Sequence, residues 1–166
     1  MSSLIEYIGK DDLTERELFL LSLETSIKIP EVIQLPSKHF TCFIVWDSKN
    51  NSIQEISDLV ETLIKNGAAY ICIWGNDCQR VEDICDEIDS LNSPDDSVIM
   101  TTSYKNDPLE EALYFFLTDT HPDEYYEPTL SSSLAVVIDN QNNLQIIKDA
   151  LLNPNQFRKY ILDKEK

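Results

Sequence analysis

Side chains that could catalyse a reaction or bind a ligand follow four apolar runs of this chain, at the point where each run ends. The runs cover residues 40–46, 68–74, 98–100 and 134–138. The side chains at their ends are Trp46 and Asp47; Trp74, Asn76 and Asp77; Thr101, Thr102, Ser103 and Tyr104; and Asp139 and Asn140. Asp47 or Asp77 could serve as a general base, the hydroxyl groups could bind a ligand, and the two indoles could wall a pocket. Each of these residues also has a plain structural role open to it, as a helix cap or as core packing.

A helical pattern follows every one of the four runs, which is typical of βα units. The clearest helix starts at a capping box formed by Ser52 and Glu55 and stops near Gly67. The sequence therefore predicts an α/β protein with three αβα layers and a mostly parallel sheet of about four strands. Ligands of such sheets bind beyond the carboxyl ends of the strands, where the side chains named above converge.

The segment before residue 39 is predicted to be a helical extension that packs on the core, and residues 39–166 a single α/β domain. Its helix is expected over residues 13–27, where Thr14 and Glu17 resemble another capping box. Residues 119–133 form the one long stretch without periodicity. A loop of this length is often functional, although an ordinary surface crossover is the alternative.

Several familiar sites are disfavoured by composition. Three glycines are too few for a phosphate-binding glycine loop, and the two histidines have no metal-ligand spacing. We expect no metal site and no cofactor. The four cysteines are expected to be reduced structural thiols, and the acidic pair Asp83 and Glu87 to lie on a solvated helix face.

The net charge of −17 is concentrated in the middle of the chain. Residues 40–130 contain 19 acidic and 4 basic side chains, a net charge of −15. Such a field repels nucleic acid and anionic membranes and favours a basic protein partner, although acidity can also serve solubility alone. No apolar run approaches 18 residues and the first residues do not resemble a signal peptide, so we expect a cytoplasmic location.

Residues 70–117 resemble a family of small bacterial α/β domains of unknown function. The resemblance rests on a Trp-Gly-x-x-Cys turn at Trp74, Gly75 and Cys78, on a Met-Thr-Thr strand end at residues 100–102, and on a Glu-Glu-Ala-Leu-aromatic-Phe helix at residues 110–115. It implies a bacterial origin and a shared fold, and it transfers no activity.

Two hypotheses for function remain. The first is an acidic protein-binding or regulatory module, in a setting such as a bacterial defence, toxin-neutralising or regulatory system. Its partner would contact His121, Tyr125 and Tyr126, because aromatic rings among charges are typical of protein interfaces. The second is a small enzyme acting on a nucleotide- or sugar-like ligand at the strand ends, which requires the side chains there to share one pocket.

Overall fold

The computed structural model describes residues 5–92 and 97–165, which fold around one six-stranded sheet. The strands are β1 (Glu6–Lys10), β2 (Glu17–Leu23), β3 (His39–Trp46), β4 (Ala68–Trp74), β5 (Met100–Tyr104) and β6 (Leu130–Ile138). The helices are α1 (Ile53–Lys65), α2 (Cys78–Asn92), α3 (Leu109–Thr118), α4 (Gln141–Leu152) and α5 (Pro154–Lys164). The strand order is β1-β2-β6-β3-β4-β5, and only β1 pairs in the antiparallel direction.

Helices cover both faces of the sheet. Buried residues of α1 and α2 belong to the core on one face, and those of α3 and α4, with Phe157 of α5, to the core on the other. The chain leaves β3 towards α1 and leaves its neighbour β6 towards α4, on the opposite face. The strand order therefore reverses between β3 and β6, and such a switch point opens a crevice at the carboxyl ends of the strands. We call this end of the sheet the carboxyl edge and the opposite end the amino edge.

The predicted N-terminal helix over residues 13–27 is wrong, and the sheet has six strands rather than about four. The apolar run that suggested a helix is β2, which pairs with β1 in the antiparallel direction and with β6 in the parallel direction. Its apolar side chains are buried on both faces. Strands buried in this way carry nearly continuous apolar runs. Thr14 does not cap a helix; its Oγ1 accepts from the Arg16 N–H and donates to Asp11.

Two strands begin or end elsewhere than predicted. Thr101, Thr102, Ser103 and Tyr104 lie inside β5, not beyond its end, and β6 begins at Leu130, four residues before the predicted run. The earlier start of β6 is explained by its buried hydroxyls. Ser132 accepts a hydrogen bond from the Ser37 hydroxyl, and Ser133 shares one with Thr41 of β3. Polar side chains that satisfy each other can occupy a central strand.

Local signals positioned α1 correctly. Ser52 accepts from the Glu55 N–H and Glu55 accepts from the Ser52 N–H, so the predicted capping box is confirmed.

At the end of β4, Gly75 has a φ of +132° and approaches β3 so closely that a Cβ would lie 2.1 Å from the Trp46 carbonyl oxygen. Only glycine fits this position.

Within residues 5–92 and 97–165, no helix is long and apolar enough to cross a membrane. All four cysteines are buried free thiols. Burial raises the pKa of Cys42, Cys72 and Cys85, which keeps these thiols protonated and unreactive. Asp95 and Asp96, two members of the acidic central segment, lie outside the described residues.

Candidate functional site at the carboxyl edge

A cavity of about 290 Å³ opens at the carboxyl edge, on the face covered by α3 and α4. Four strand ends contribute to it. Its lining consists of Asp47, Trp74, Gly75, Asn76, Tyr104, Asn106, Asp107 and Asn140. Asp47, Trp74, Asn76, Tyr104 and Asn140 were all predicted at strand ends, and these five residues meet in the cavity.

The aromatic wall of this first cavity is held in place by the backbone. Trp74 and Tyr104 are register partners on β4 and β5, and the indole Nε1–H of Trp74 donates to the Asp107 carbonyl oxygen at 2.8 Å. The Tyr104 ring packs at 5.7 Å, centroid to centroid, from Phe115 of α3. Burial raises the pKa of Tyr104, so its phenol stays neutral at physiological pH.

A second cavity, of about 300 Å³, lies at the same edge and shares Asp47 with the first. Its lining consists of Glu24, Thr25, Ser26, Trp46, Asp47, Asn50, Asn51, Ile138 and Asp139. Trp46 is only 3% exposed, so its indole is mainly part of the core. Asp139 reaches this position through a backbone φ of +47°, a conformation that aspartate and asparagine tolerate better than most residues.

Neither lining contains a lysine, arginine or histidine among the described residues. Arg80 lies nearby, but its guanidinium donates to the carbonyl oxygens of Ser48 and Asn51. Its Nε also lies 2.8 Å from Asp77 Oδ2, an ion contact without the alignment of a hydrogen bond. Asp77 is therefore paired with Arg80 and lines neither cavity, which separates it from Asp47.

The hydroxyl groups predicted to bind a ligand make contacts inside the protein. Thr101 donates to Asp86 and Ser103 donates to Glu82, both at 2.8 Å, whereas Thr102 shares a hydrogen bond with Tyr70 on the other face. None of the three lines either cavity. The carboxylates of α2 thus fasten the edge strand β5, which gives part of the acidic helix a structural role.

The predicted partner-binding residues lie at the amino edge, where residues 119–129 lead into β6. Tyr126 is only 6% exposed, donates to Ser97 Oγ at 3.2 Å and contacts the His39 ring edge-on at 4.7 Å. It is therefore a core residue. Tyr125 is 53% exposed and His121 is exposed, so these two remain available to a partner.

Sequence reasoning missed Asn106 and Asp107 in the first cavity and Glu24 and Thr25 in the second. The N-cap position of α3 is Pro108, directly after Asp107, and no side chain caps this helix. Glu24 was hidden by the mistaken N-terminal helix, since it directly follows the end of β2. Recognising the run before it as a buried strand would have predicted a further strand end at this edge.

Two other features of the described residues bear on metal or ligand chemistry. Across the described ranges, no group of three or more histidine, cysteine, aspartate or glutamate side chains is arranged to hold a metal ion. A larger groove of about 530 Å³ runs between α4 and α5 and is lined in part by Ile146, Phe157 and Tyr160. None of the predicted site residues contributes to that groove.

A family described as "Domain of unknown function (DUF7684)" matches residues 18–154. The chain belongs to this family. The match covers the strand ends of both cavities and leaves β1 and almost all of α5 outside it. No curated protein matches the chain. The resemblance drawn from residues 70–117 to a family of unknown function is thereby confirmed, and the family description assigns no activity.

Proposed function

We propose that this protein is a non-catalytic acidic module that binds a basic protein, with the carboxyl edge of its sheet as the main contact surface. The observation that carries the proposal is the charge of the two adjoining cavities, which contain Asp47, Asp107 and Asp139 and, among the described residues, no basic side chain. A complementary partner would neutralise these carboxylates, and such complementarity speeds and selects association. We place this activity in a regulatory or toxin-neutralising system.

The surface at the amino edge is a second, smaller candidate. Exposed Tyr125 packs edge-on against buried Tyr126 at 5.0 Å, so its ring is held in a fixed position before any partner arrives. Rigid aromatic rings are favourable interface anchors because they lose little conformational entropy on binding. We keep Tyr125 and His121 as proposed partner contacts and no longer include Tyr126.

The contacts of the site residues count against the enzyme alternative. That hypothesis requires Asp77 and the hydroxyls of β5 to join Asp47 around one ligand, whereas Asp77 pairs with Arg80 and the hydroxyls bind neighbouring side chains. Carboxylates without a basic neighbour also repel the phosphate groups of a nucleotide. We therefore advance the binding module alone.

The test is affinity capture from host cells with the purified chain as bait, at low and at moderate salt. The edge variant is Asp47→Asn with Asp139→Asn, and the control is Glu61→Gln with Asp83→Asn, which removes the same charge from exposed positions on α1 and α2. We expect wild type and control to retain a basic protein at low salt, less of it at moderate salt, and the edge variant to lose it. Equal recovery by the edge variant and the control, or recovery of no basic protein, would refute the proposal.

A further inference from the structure

We infer that the first cavity receives the guanidinium group of an arginine side chain of the basic partner. This inference rests on the proposed function and assigns a specific contact to it. The charges, the aromatic wall and the size of the cavity support it separately.

The polar lining offers acceptors. Two of the lining residues, Asp47 and Asp107, carry carboxylates, and three more, Asn76, Asn106 and Asn140, carry amide oxygens, of which that of Asn140 already accepts from Asn143. A guanidinium group carries five N–H donors and no acceptor, so its hydrogen-bonding needs match such a lining. Its hydrogen bonds to carboxylates are also stronger than those between neutral groups.

The aromatic lining suits a flat cation. Trp74 and Tyr104 are each half-buried beside the two carboxylates. The Trp74 N–H is already used by the Asp107 carbonyl oxygen, so the indole has no donor left for an anionic ligand, whereas its ring face can still attract a cation. Guanidinium groups stack on such rings as well as pairing with carboxylates, a combination that an ammonium group matches less well.

The size of the cavity limits its ligand. A volume of about 290 Å³ lies at the lower end of the range for small-molecule pockets, which fits one long side chain better than a nucleotide. The competing ligand is a small anion, because α3 and α4 begin beside this cavity and neither has a side-chain cap, and helix N-termini favour negative charge. Phosphate is therefore included in the test as the opposing probe.

The experiment follows the two indole N–H signals of the full chain by NMR during titration with blocked arginine amide. The chain has two tryptophans, so Trp46→Phe assigns the Trp74 signal. Blocked citrulline amide is the matched probe, since it has the shape of arginine without its charge. We expect arginine to shift the Trp74 signal in a saturable manner, citrulline to bind at least about tenfold more weakly, and inorganic phosphate to leave the signal unchanged.

Variants then locate the contact. Asp47→Asn should weaken arginine binding by about tenfold, whereas Glu61→Gln, an exposed acid on α1, should leave it unchanged. Equal binding of citrulline, a phosphate-induced shift of the Trp74 signal, or an unaltered Asp47→Asn variant would each overturn the inference.

The outcome separates the inference from the proposed function. A basic protein captured through the carboxyl edge, combined with no response to arginine, overturns the cavity assignment and leaves the module intact. Arginine binding without any captured protein supports the cavity assignment and counts against the module.

Discussion

At the amino edge of the sheet polar groups are paired with one another, whereas at the carboxyl edge carboxylates face open cavities. At the amino edge, Arg158 is buried in an ion pair with Asp11. It also donates to the Leu117 carbonyl oxygen and to the Thr118 hydroxyl. Arg16 donates to the side chain and carbonyl oxygen of Thr120. These contacts join the turn before β2 to the end of α3 and to α5.

Around the cavities of the carboxyl edge, the described residues form ion pairs that are exposed or only partly buried, between Glu24 and Lys28 and between Asp77 and Arg80. Asp47 and Asp139 are exposed, and within the described residues no donor hydrogen-bonds to their carboxylates. Arg80, the nearby cation, is bound to the loop after β3 and to Asp77. Polar groups that the fold leaves unpaired are available to a partner, so this difference supports the proposal that the amino edge serves stability and the carboxyl edge serves binding.

Removing the buried arginine should have the largest effect. Arg158→Met leaves the Asp11 carboxylate buried without its cation, so we expect the free energy of unfolding to fall by about 3–5 kcal/mol. Urea unfolding monitored by circular dichroism measures this loss. The exposed Lys28–Glu24 pair provides the contrast, and Lys28→Met should change stability little.

A double variant isolates the cause. Asp11→Leu together with Arg158→Met removes both charges, and it should recover part of the stability lost by Arg158→Met alone. If the double variant is less stable than the single variant, the hydrogen bonds that Asp11 accepts from Leu13 and Thr14 outweigh the cost of its unpaired charge.

The two adjacent tyrosines should differ sharply. Tyr126→Ala removes a buried ring that contacts His39 and Ser97, so we expect a loss of about 3 kcal/mol. Tyr125→Ala removes an exposed ring and should leave the melting temperature nearly unchanged. The sequence analysis assigned both rings to a partner surface, and the burial of Tyr126 removes it from that surface. Similar melting temperatures for the two variants would show that the Tyr126 ring contributes little to the packing of the amino edge.

Matched glycines flank β4 at opposite edges. Gly67 and Gly75 both have positive φ, and a Cβ at either would lie 2.1 Å from a carbonyl oxygen, of Lys38 or of Trp46. Each substitution by alanine should therefore cost about 2 kcal/mol or more, measured by urea unfolding. Gly9→Ala, with no atom within 4 Å, should be nearly neutral. Of these three variants, only Gly75→Ala should also shift the indole N–H NMR signal of Trp74, because Gly75 lines the first cavity.

The central fold was predictable because its signals are local. The runs that became β3 and β4 are buried, and α1 carries its own capping box and stop. The N-terminal strand was not predictable in the same way. A buried apolar run such as β2 fits a helix or a strand by its pattern, and its pairing with β6, more than 100 residues later, decides between them.

The candidate site was predictable in part for the same reason. Asp47, Trp74 and Asn76 follow well-defined strands, so the strand-end rule located them. Asn106 and Asp107 follow β5, an edge strand whose polar residues had been taken for its end. The contact that withdraws Ser103 joins it to Glu82 on another element, which no local pattern encodes. The Asp77–Arg80 pair has an i, i+3 spacing, so the sequence permits it but does not show that Asp77 forms it instead of lining a cavity.

A buried acid at the amino edge gives a pH-dependent test. Burial raises the pKa of Asp89, and the neighbouring carboxylates of Asp86 and Asp123 raise it further. The hydrogen bond that Asp89 accepts from the Ile99 N–H lowers this pKa, but by less. The folded state therefore binds the proton more tightly than the unfolded chain, whose aspartate pKa is about 3.9. Wild type should lose stability relative to Asp89→Asn as the pH rises from that value through the raised pKa of the folded state. Urea unfolding across this range measures the difference, and a relative gain with pH would contradict the assignment.

The smallest effect on stability is expected at the carboxyl edge. Asp47→Asn with Asp139→Asn removes two exposed carboxylates that no described group pairs with, and asparagine tolerates the positive φ of Asp139. The free energy of unfolding should therefore stay within about 0.5 kcal/mol of wild type, or rise slightly as repulsion is relieved. Urea unfolding of this variant beside Glu61→Gln with Asp83→Asn provides the comparison. A large loss of stability would mean that these carboxylates serve the fold, and the contrast between the two edges would then not hold. An unchanged stability with lost partner capture would assign them to binding.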